Sequence, residues 1–393
     1  MKIGVDVRVL MDKYYSGISE YAANLLTAIL KIDDHNNYRL FYNSYHDVRS
    51  RLVSWEKPNA QLIGTRWPNK LFNYCLQKIC AWPKLDRVLG GVDVFWSPHF
   101  NFTSLQKKPN RPRQIITVHD LSFLRYPKFF SFRKNFWHRA LGIKKILKGT
   151  DAIVAVSENT KQDIVELIGI DPSKITVIYS GLNNLPAATP SETEAFITKH
   201  QLAGRFILYL GNIEPRKNIA GLIKAFNILC SDDQNQSLAD LQLVIAGGSG
   251  WRARTIYQAY RQSPYKNRIK FVGYVSPIEK SILYSRASVF AYPSYYEGFG
   301  FPPLEAMAAG VPVVCSNLSS LPEIVASGAL MINPHRPEEI ARVLREVLRD
   351  EVLRKQLIDA GRLRAQSFSW EKAAREYLRL FSSFEIKDNY EKK

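Results

Sequence analysis

Short apolar runs alternate with amphipathic stretches along the whole chain. The apolar runs fall at 2–10, 38–42, 93–97, 114–119 and 152–156, and again at 206–211, 241–246, 269–272, 288–292 and 312–316. They predict strands. Between them, 18–32, 158–168, 217–230, 302–310 and 337–349 carry apolar residues at helical spacing. Strands alternating with helices imply parallel sheets covered on both faces. One stretch interrupts the pattern: "SGLNNLPAATPSETE", 180–194, has no periodic apolar face and reads as a linker. The pattern therefore predicts an α/β protein with two doubly wound, Rossmann-like domains, at 1–185 and 186–367, followed by a C-terminal segment, 368–393. In such sheets ligands bind beyond the carboxyl ends of the strands, so the expected site is a cleft between the domains.

The chain has 393 residues, which suits two cores rather than one. There is no run of eighteen uncharged apolar residues, and the N-terminal "MKIGVDVRVLM" reads as a strand rather than a signal peptide. Cys75, Cys80, Cys230 and Cys315 show neither metal spacing nor a disulfide framework, which predicts a reducing cytoplasm. The net charge of +18 changes the picture more. Residues 66–145 hold 16 basic and 3 acidic side chains interleaved with large aromatics such as Phe132, Phe136 and Trp137. Such a surface attracts anionic headgroups or nucleic acid.

Five stretches could carry chemistry. In "SYYEGFGFPPLEAMAAG", Gly298 and Gly300 permit a sharp turn, and Pro302 and Pro303 suit a first helical turn. Glu297 then precedes a helix start, where free amides favour an anion, and Glu305 lies about a turn inside. Carboxylates accept from hydroxyls, so the pair suits a ligand with hydroxyls at both ends and phosphate between. In "YLGNIEPRKN", Arg216 and Lys217 follow a strand and could hold a diphosphate, the one as a fork and the other as a point charge. Gly17 follows the first strand and would let a ligand approach the next helix. His119 and Asp120 stand at the carboxyl end of a buried strand, and Ser157 ends a strand where it could cap a helix.

Together these stretches resemble a known family. "EGFGFPPLE" looks like the E-x7-E signature of retaining GT-B glycosyltransferases of family four, "GNIEPRKN" is similar to their diphosphate motif, and "VHDL", "VSENTKQDI" and "FVGYVS" occur in matching order. The N-terminal half most resembles bacterial mannosyltransferases of surface polysaccharide synthesis. The resemblance implies that Glu305 binds the ribose and that Glu297, with Gly298, Phe299 and Gly300, binds the donor sugar. It implies that Arg216 and Lys217 hold the diphosphate beside Gly17, that His119 sits near the reacting carbon, and that Tyr274 and Val275 meet the base; Ser157 joins the donor-binding set. One departure is Ser16, where many relatives have a second glycine.

The implied reaction is metal-independent, with retention, and moves a hexose from a nucleotide sugar to a glycan or lipid-linked acceptor; the chain contains no Asp-x-Asp. GDP-mannose leads among donors, while UDP-glucose and UDP-N-acetylglucosamine stay open, as does a non-catalytic scaffold. No further cofactor is expected. The basic stretch then predicts a peripheral position on the inner face of the cell membrane, with "FSFRKNFWHRALGIKKILKG", 130–149, as a docking helix. "FSWEKAAREYLRLF" looks like a last helix returning to the N-terminal domain. A nicotinamide dehydrogenase would need G-x-G-x-x-G, which is absent, and a nucleic-acid binder would leave the two acids around the turn unexplained.

Overall fold

The computed structural model describes residues 1–11, 17–48, 51–55, 57–77, 81–107, 109, 111–202, 204–232 and 238–391, with the backbone alone for 77 and 386–391. Ser16 and Cys80 lie outside the described residues. The chain forms two bodies, one of residues 1–121, 136–181 and 369–393, the other of 122–135 and 182–368.

The first body holds a seven-stranded sheet built from β1 (Lys2–Asp6), β2 (Asn37–Asn43), β3 (Ala60–Thr65), β4 (Val94–Ser97), β5 (Arg113–Val118), β6 (Ala152–Ala155) and β7 (Ile175–Val177). All pairs are parallel, in the order β3-β2-β1-β4-β5-β6-β7. The second holds β8 (Phe206–Leu210), β9 (Gln242–Ala246), β10 (Ile269–Gly273), β11 (Val289–Tyr292), β12 (Val313–Ser316) and β13 (Ala329–Ile332), also all parallel, in the order β10-β9-β8-β11-β12-β13. Both sheets are doubly wound. Each reverses its winding at one point, between β1 and β4 and between β8 and β11, where consecutive connections leave in opposite directions and open a crevice beyond the strand ends.

The apolar runs locate the central strands, and three strands outside those runs, β3, β7 and β13, all lie at sheet edges. An edge strand is shielded on fewer sides, and β3 accordingly has three half-buried and three exposed positions and none fully buried. The run 2–10 divides because Asp6 accepts the Arg8 amide and holds its guanidinium, and Arg8–Leu10 turns as a short 3-10 helix. The stretch 180–194 is irregular only to Thr189. There Thr189 accepts from the Glu192 amide while Glu192 accepts from the Thr189 amide, and this capping box starts the helix Pro190–His200. The expected single helix over 130–149 is instead two, Phe132–Leu141 and Ile143–Gly149, parted by Gly142 at φ +63°.

The last helix, Trp370–Glu391, packs on the helix Gly17–Ile32 of the first body. Its Tyr377 is fully buried, and its hydroxyl meets the Tyr21 hydroxyl at 2.9 Å and Thr117 Oγ1 at 2.6 Å. Trp96 Nε1 donates to the same Thr117 oxygen at 3.0 Å. Buried hydroxyls need partners, so this chain of contacts fixes the helix at one position on the sheet. Tyr377→Phe leaves Tyr21 and Thr117 short of a partner and is expected to cost about 1–3 kcal/mol. Urea unfolding measures it; an unchanged midpoint would show that the network carries no stability.

Candidate active site

In the second body, the loops after β8, β11 and β12 converge at the point where that sheet reverses. After β8, Pro215–Lys217 forms a short turn, and Asn218, at φ +55°, caps the helix Ile219–Ser231. After β11, the loop runs through Glu297 to Gly300, where the helix Phe301–Ala308 begins with both prolines in its first turn. Gly300 sits at φ +116°, and a Cβ there would meet Leu321 Cδ2 at 2.8 Å, so the turn admits no side chain. The loop after β12 holds this arrangement from behind: Ser319 Oγ accepts from the Glu297 amide, and Ser320 donates to the carbonyls of Glu297 and Phe299 at 3.0 and 2.8 Å.

Arg216, Lys217 and Glu297 come into direct contact. Lys217 Nζ donates to both Glu297 oxygens at 2.7 and 2.9 Å and to the Tyr292 hydroxyl at 2.8 Å. Arg216 Nη1 donates to Glu297 Oε2 at 3.2 Å and to the Tyr296 carbonyl at 2.7 Å, while Nη2 donates to Glu214 Oε1 at 2.8 Å. Two cations thus face two carboxylates, and the cluster is close to neutral. Burial by itself disfavours the charge on Glu297, but Lys217 and Arg216 outweigh it and hold the carboxyl below its ordinary range. The two short contacts keep Lys217 and Glu297 an ion pair although both are buried. Glu214 and Tyr292 were not singled out from sequence; "GNIEP" and "FAYP" hold the only signal for them, a polar residue at a strand's carboxyl end.

Glu305 forms a second, smaller site. Its oxygens accept from Lys280 Nζ at 2.8 Å and the Tyr284 hydroxyl at 2.9 Å. Both donors sit on the helix Pro277–Arg286, which the Ser276–Glu279 capping box starts just after exposed Tyr274 and buried Val275. Gly298 and Phe299 lie in the turn between the two glutamates, Phe299 buried against Phe301 and Phe368.

The remaining residues lie in the first body. Gly17 opens the helix Gly17–Ile32, and a Cβ added there meets no atom of the described residues within 4 Å, so their packing does not demand glycine. Ser157 caps the helix Glu158–Ile168, accepting from the Thr160 amide at 3.1 Å. His119 Nε2 lies 2.8 Å from the Pro98 carbonyl. A carbonyl only accepts, so Nε2 carries the proton and Nδ1 a lone pair. Its ring stands edge-on to Tyr21, with His99 5.9 Å away. Burial lowers His119 to about 4 and His99 to about 3.

Comparison with known proteins matches residues 15–184 to the Glycosyltransferase Family 4 model and 190–364 to Glycosyl transferases group 1. The chain is 33% identical over 263 residues to O-antigen chain mannosyltransferase B of Escherichia coli, covering 66% of this chain and 67% of that one. It belongs to the group 1, family 4 glycosyltransferases. It is also 30% identical over 269 residues to the serotype-specific mannosyltransferase WbdA of Escherichia coli, 67% of this chain but 32% of that relative, so it spans about a third of that protein. Sucrose-phosphate synthase from Thermosynechococcus elongatus shares the fold at 21% identity, with a TM-score of 0.75 over 98% of this chain and 99% of that one. The fold class is therefore GT-B, and the protein is a glycosyl-transferring enzyme.

The two depressed imidazoles predict the acid response of this glycosyltransferase. A histidine held neutral in the fold but titrating near 6.5 when unfolded lets acid protonate the unfolded chain first. Each is expected to remove about 1.4 kcal/mol of stability per pH unit from about 6.5 down to its folded value. Denaturant midpoints should fall between pH 7 and 5, less steeply in His119→Asn. Equal slopes in the two proteins would contradict the neutral His119.

Proposed function

We propose that this glycosyltransferase moves mannose from GDP-mannose to a lipid-linked or polysaccharide acceptor, without a metal ion and with retention at the anomeric carbon. The observation that carries the reading is the contact of Arg216 and Lys217 with Glu297 at the carboxyl ends of β8 and β11. The names of the similar bacterial proteins support mannose as the sugar.

Departure of the diphosphate builds negative charge on it and positive charge on the sugar. Arg216 and Lys217 receive the first. Glu297 holds both cations in place beforehand, so little reorganisation remains when the diphosphate arrives and competes for them. Displaced from the lysine, Glu297 is free to accept from sugar hydroxyls, and Glu305 accepts from the ribose. Gly17 leaves space for the phosphates, and Ser157 orders the helix start near His119. Neutral His119 lies near the reacting carbon, where an uncharged imidazole does not oppose the developing positive charge. The acceptor hydroxyl attacks from the face the diphosphate leaves and passes its proton to the departing phosphate oxygen, which gives retention without an enzymatic nucleophile. Tyr274 and Val275 flank the base.

Arg216→Ala and Lys217→Ala should each lower turnover by about 10²–10³, read as nucleoside diphosphate release. Near-normal turnover in both would remove them from the mechanism. A panel of GDP, UDP, ADP and their sugars, titrated by calorimetry with and without EDTA, tests the donor. Selective binding of GDP and GDP-mannose, unmoved by EDTA, is expected; selectivity for UDP would replace the donor, and binding abolished by EDTA would overturn metal independence. Product NMR showing an inverted linkage would overturn retention.

The acceptor side includes an anionic membrane surface. No described helix is long and apolar enough to cross a bilayer. Phe132 and Phe136 are 82% and 65% exposed on one helix, four residues apart, and Lys128, Arg133, Arg139, Lys144, Lys145 and Lys148 are exposed in the same stretch of the chain. Large exposed aromatics among cations suit a headgroup layer and support a peripheral position on the inner face of the cell membrane. Phe132→Ser with Phe136→Ser should weaken sedimentation with phosphatidylglycerol vesicles by roughly tenfold. Binding indifferent to anionic lipid and to salt would sink this part of the reading.

A further inference from the structure

The first sheet has its own reversal point, between β1 and β4, and a cavity of about 190 Å³ lies there, lined by Asp6, Arg8, Val9, His99, Phe100, Asn101 and Trp137. Asp6 ends β1 and Arg8 follows it; His99 follows β4. This is where a doubly wound sheet leaves a crevice for a ligand.

Two buried polar atoms on residues that line this cavity have no partner among the described residues. Arg8 is 7% exposed. Its Nε and Nη2 grip Asp6 at 2.8 and 2.6 Å, and Nη2 also donates to the Phe102 carbonyl at 2.8 Å, but Nη1 is buried and donates to nothing. His99 Nδ1 is likewise buried and unpartnered. Native interiors seldom leave a guanidinium N–H or a ring nitrogen unpaired, and such atoms at a cavity are ready for a ligand.

The chemistry narrows what that ligand is. Asp6 already neutralises Arg8 through two oxygens, so an incoming anion would meet a carboxylate beside the guanidinium. His99, lowered to about 3 chiefly by burial, adds no positive charge. The site thus offers one NH2 group with two N–H donors, one nitrogen able to accept or donate, and a half-exposed indole, with no net charge. A sugar hydroxyl both accepts and donates, and the C–H face of a pyranose packs on an aromatic ring.

We propose that this cavity is a subsite for an uncharged sugar ring of the acceptor, one ring hydroxyl held between Arg8 and His99 and the ring laid against Trp137. The proposal rests on the reading of the acceptor as a glycan and states its class: the unit bound here is a neutral hexopyranose, not a phosphorylated one. His99 stands 5.9 Å from His119 ring to ring, so the subsite adjoins the residue assigned to the reacting carbon.

Saturation-transfer NMR on the full chain tests it, with methyl α-D-mannopyranoside, methyl α-D-glucopyranoside and methyl α-D-mannopyranoside 6-phosphate as probes. Trp137→Ala removes an exposed ring, and His99→Phe removes Nδ1 while keeping an aromatic ring; circular dichroism checks that both fold. At least one neutral glycoside should bind, and each variant should weaken it by about three- to tenfold, with nucleotide affinity by calorimetry unchanged. No transfer to either neutral glycoside, wild-type affinity in both variants, or a preference for the phosphorylated probe would overturn the subsite. Glycoside binding that is lost in the variants while GDP fails to bind would uphold the subsite and count against the donor reading alone.

Discussion

The reversal of winding in a parallel sheet governs this molecule. Where neighbouring strands send their connections to opposite faces, no helix covers their carboxyl ends, and the loops there must satisfy their own polar groups or leave them for a ligand. The second sheet answers at β8 and β11 with a nearly neutral cluster of Glu214, Arg216, Lys217 and Glu297. The first answers at β1 and β4 with the Asp6–Arg8 pair, which is internally neutral but leaves one guanidinium nitrogen without a partner among the described residues. The same topological constraint thus yields a compact cluster of paired charges in one sheet and a single ion pair beside a cavity in the other.

Preorganisation is the common principle. Arg216 and Lys217 are not loose cations on a loop; each makes contacts with Glu297, and Ser319 and Ser320 tie the loop bearing it to the end of β12. In the proposed reaction a flexible lysine would have to lose its freedom as charge develops on the diphosphate. Here most of that ordering is complete in the folded chain, at the cost of an ion pair that a ligand must partly displace. His119 is prepared in the same sense: the Pro98 carbonyl fixes its tautomer, and burial keeps it uncharged.

Much of the architecture was legible in the pattern of apolar runs, because a central parallel strand is buried on both faces and must be apolar throughout. The strands at β3, β7 and β13 were not, because edge strands are half-solvated and their residues follow weaker rules. The capping box at Thr189 was written in the sequence as Thr-Pro-Ser-Glu, yet it lay inside a stretch whose composition suggested only a linker. Gly142 divided the predicted docking helix for a backbone reason visible only with its φ angle.

The sequence by itself determined two doubly wound domains, the motif order of a family-four glycosyltransferase, and which acids and bases stand at strand ends. Only the tertiary structure decided how those charges pair. Lys217 and Glu297 lie 80 positions apart, as do Arg216 and the Tyr296 carbonyl, and no local pattern specifies that their side chains meet. Likewise "VDVR" reads as a continuing strand until the fold turns Arg8 back on Asp6 and sets it on the same cavity as His99, 91 positions away in the chain. Spacing along the chain fixes periodicity and caps, which are local. Which buried polar atoms are satisfied and which remain open depends on loops that the sheet order alone brings together.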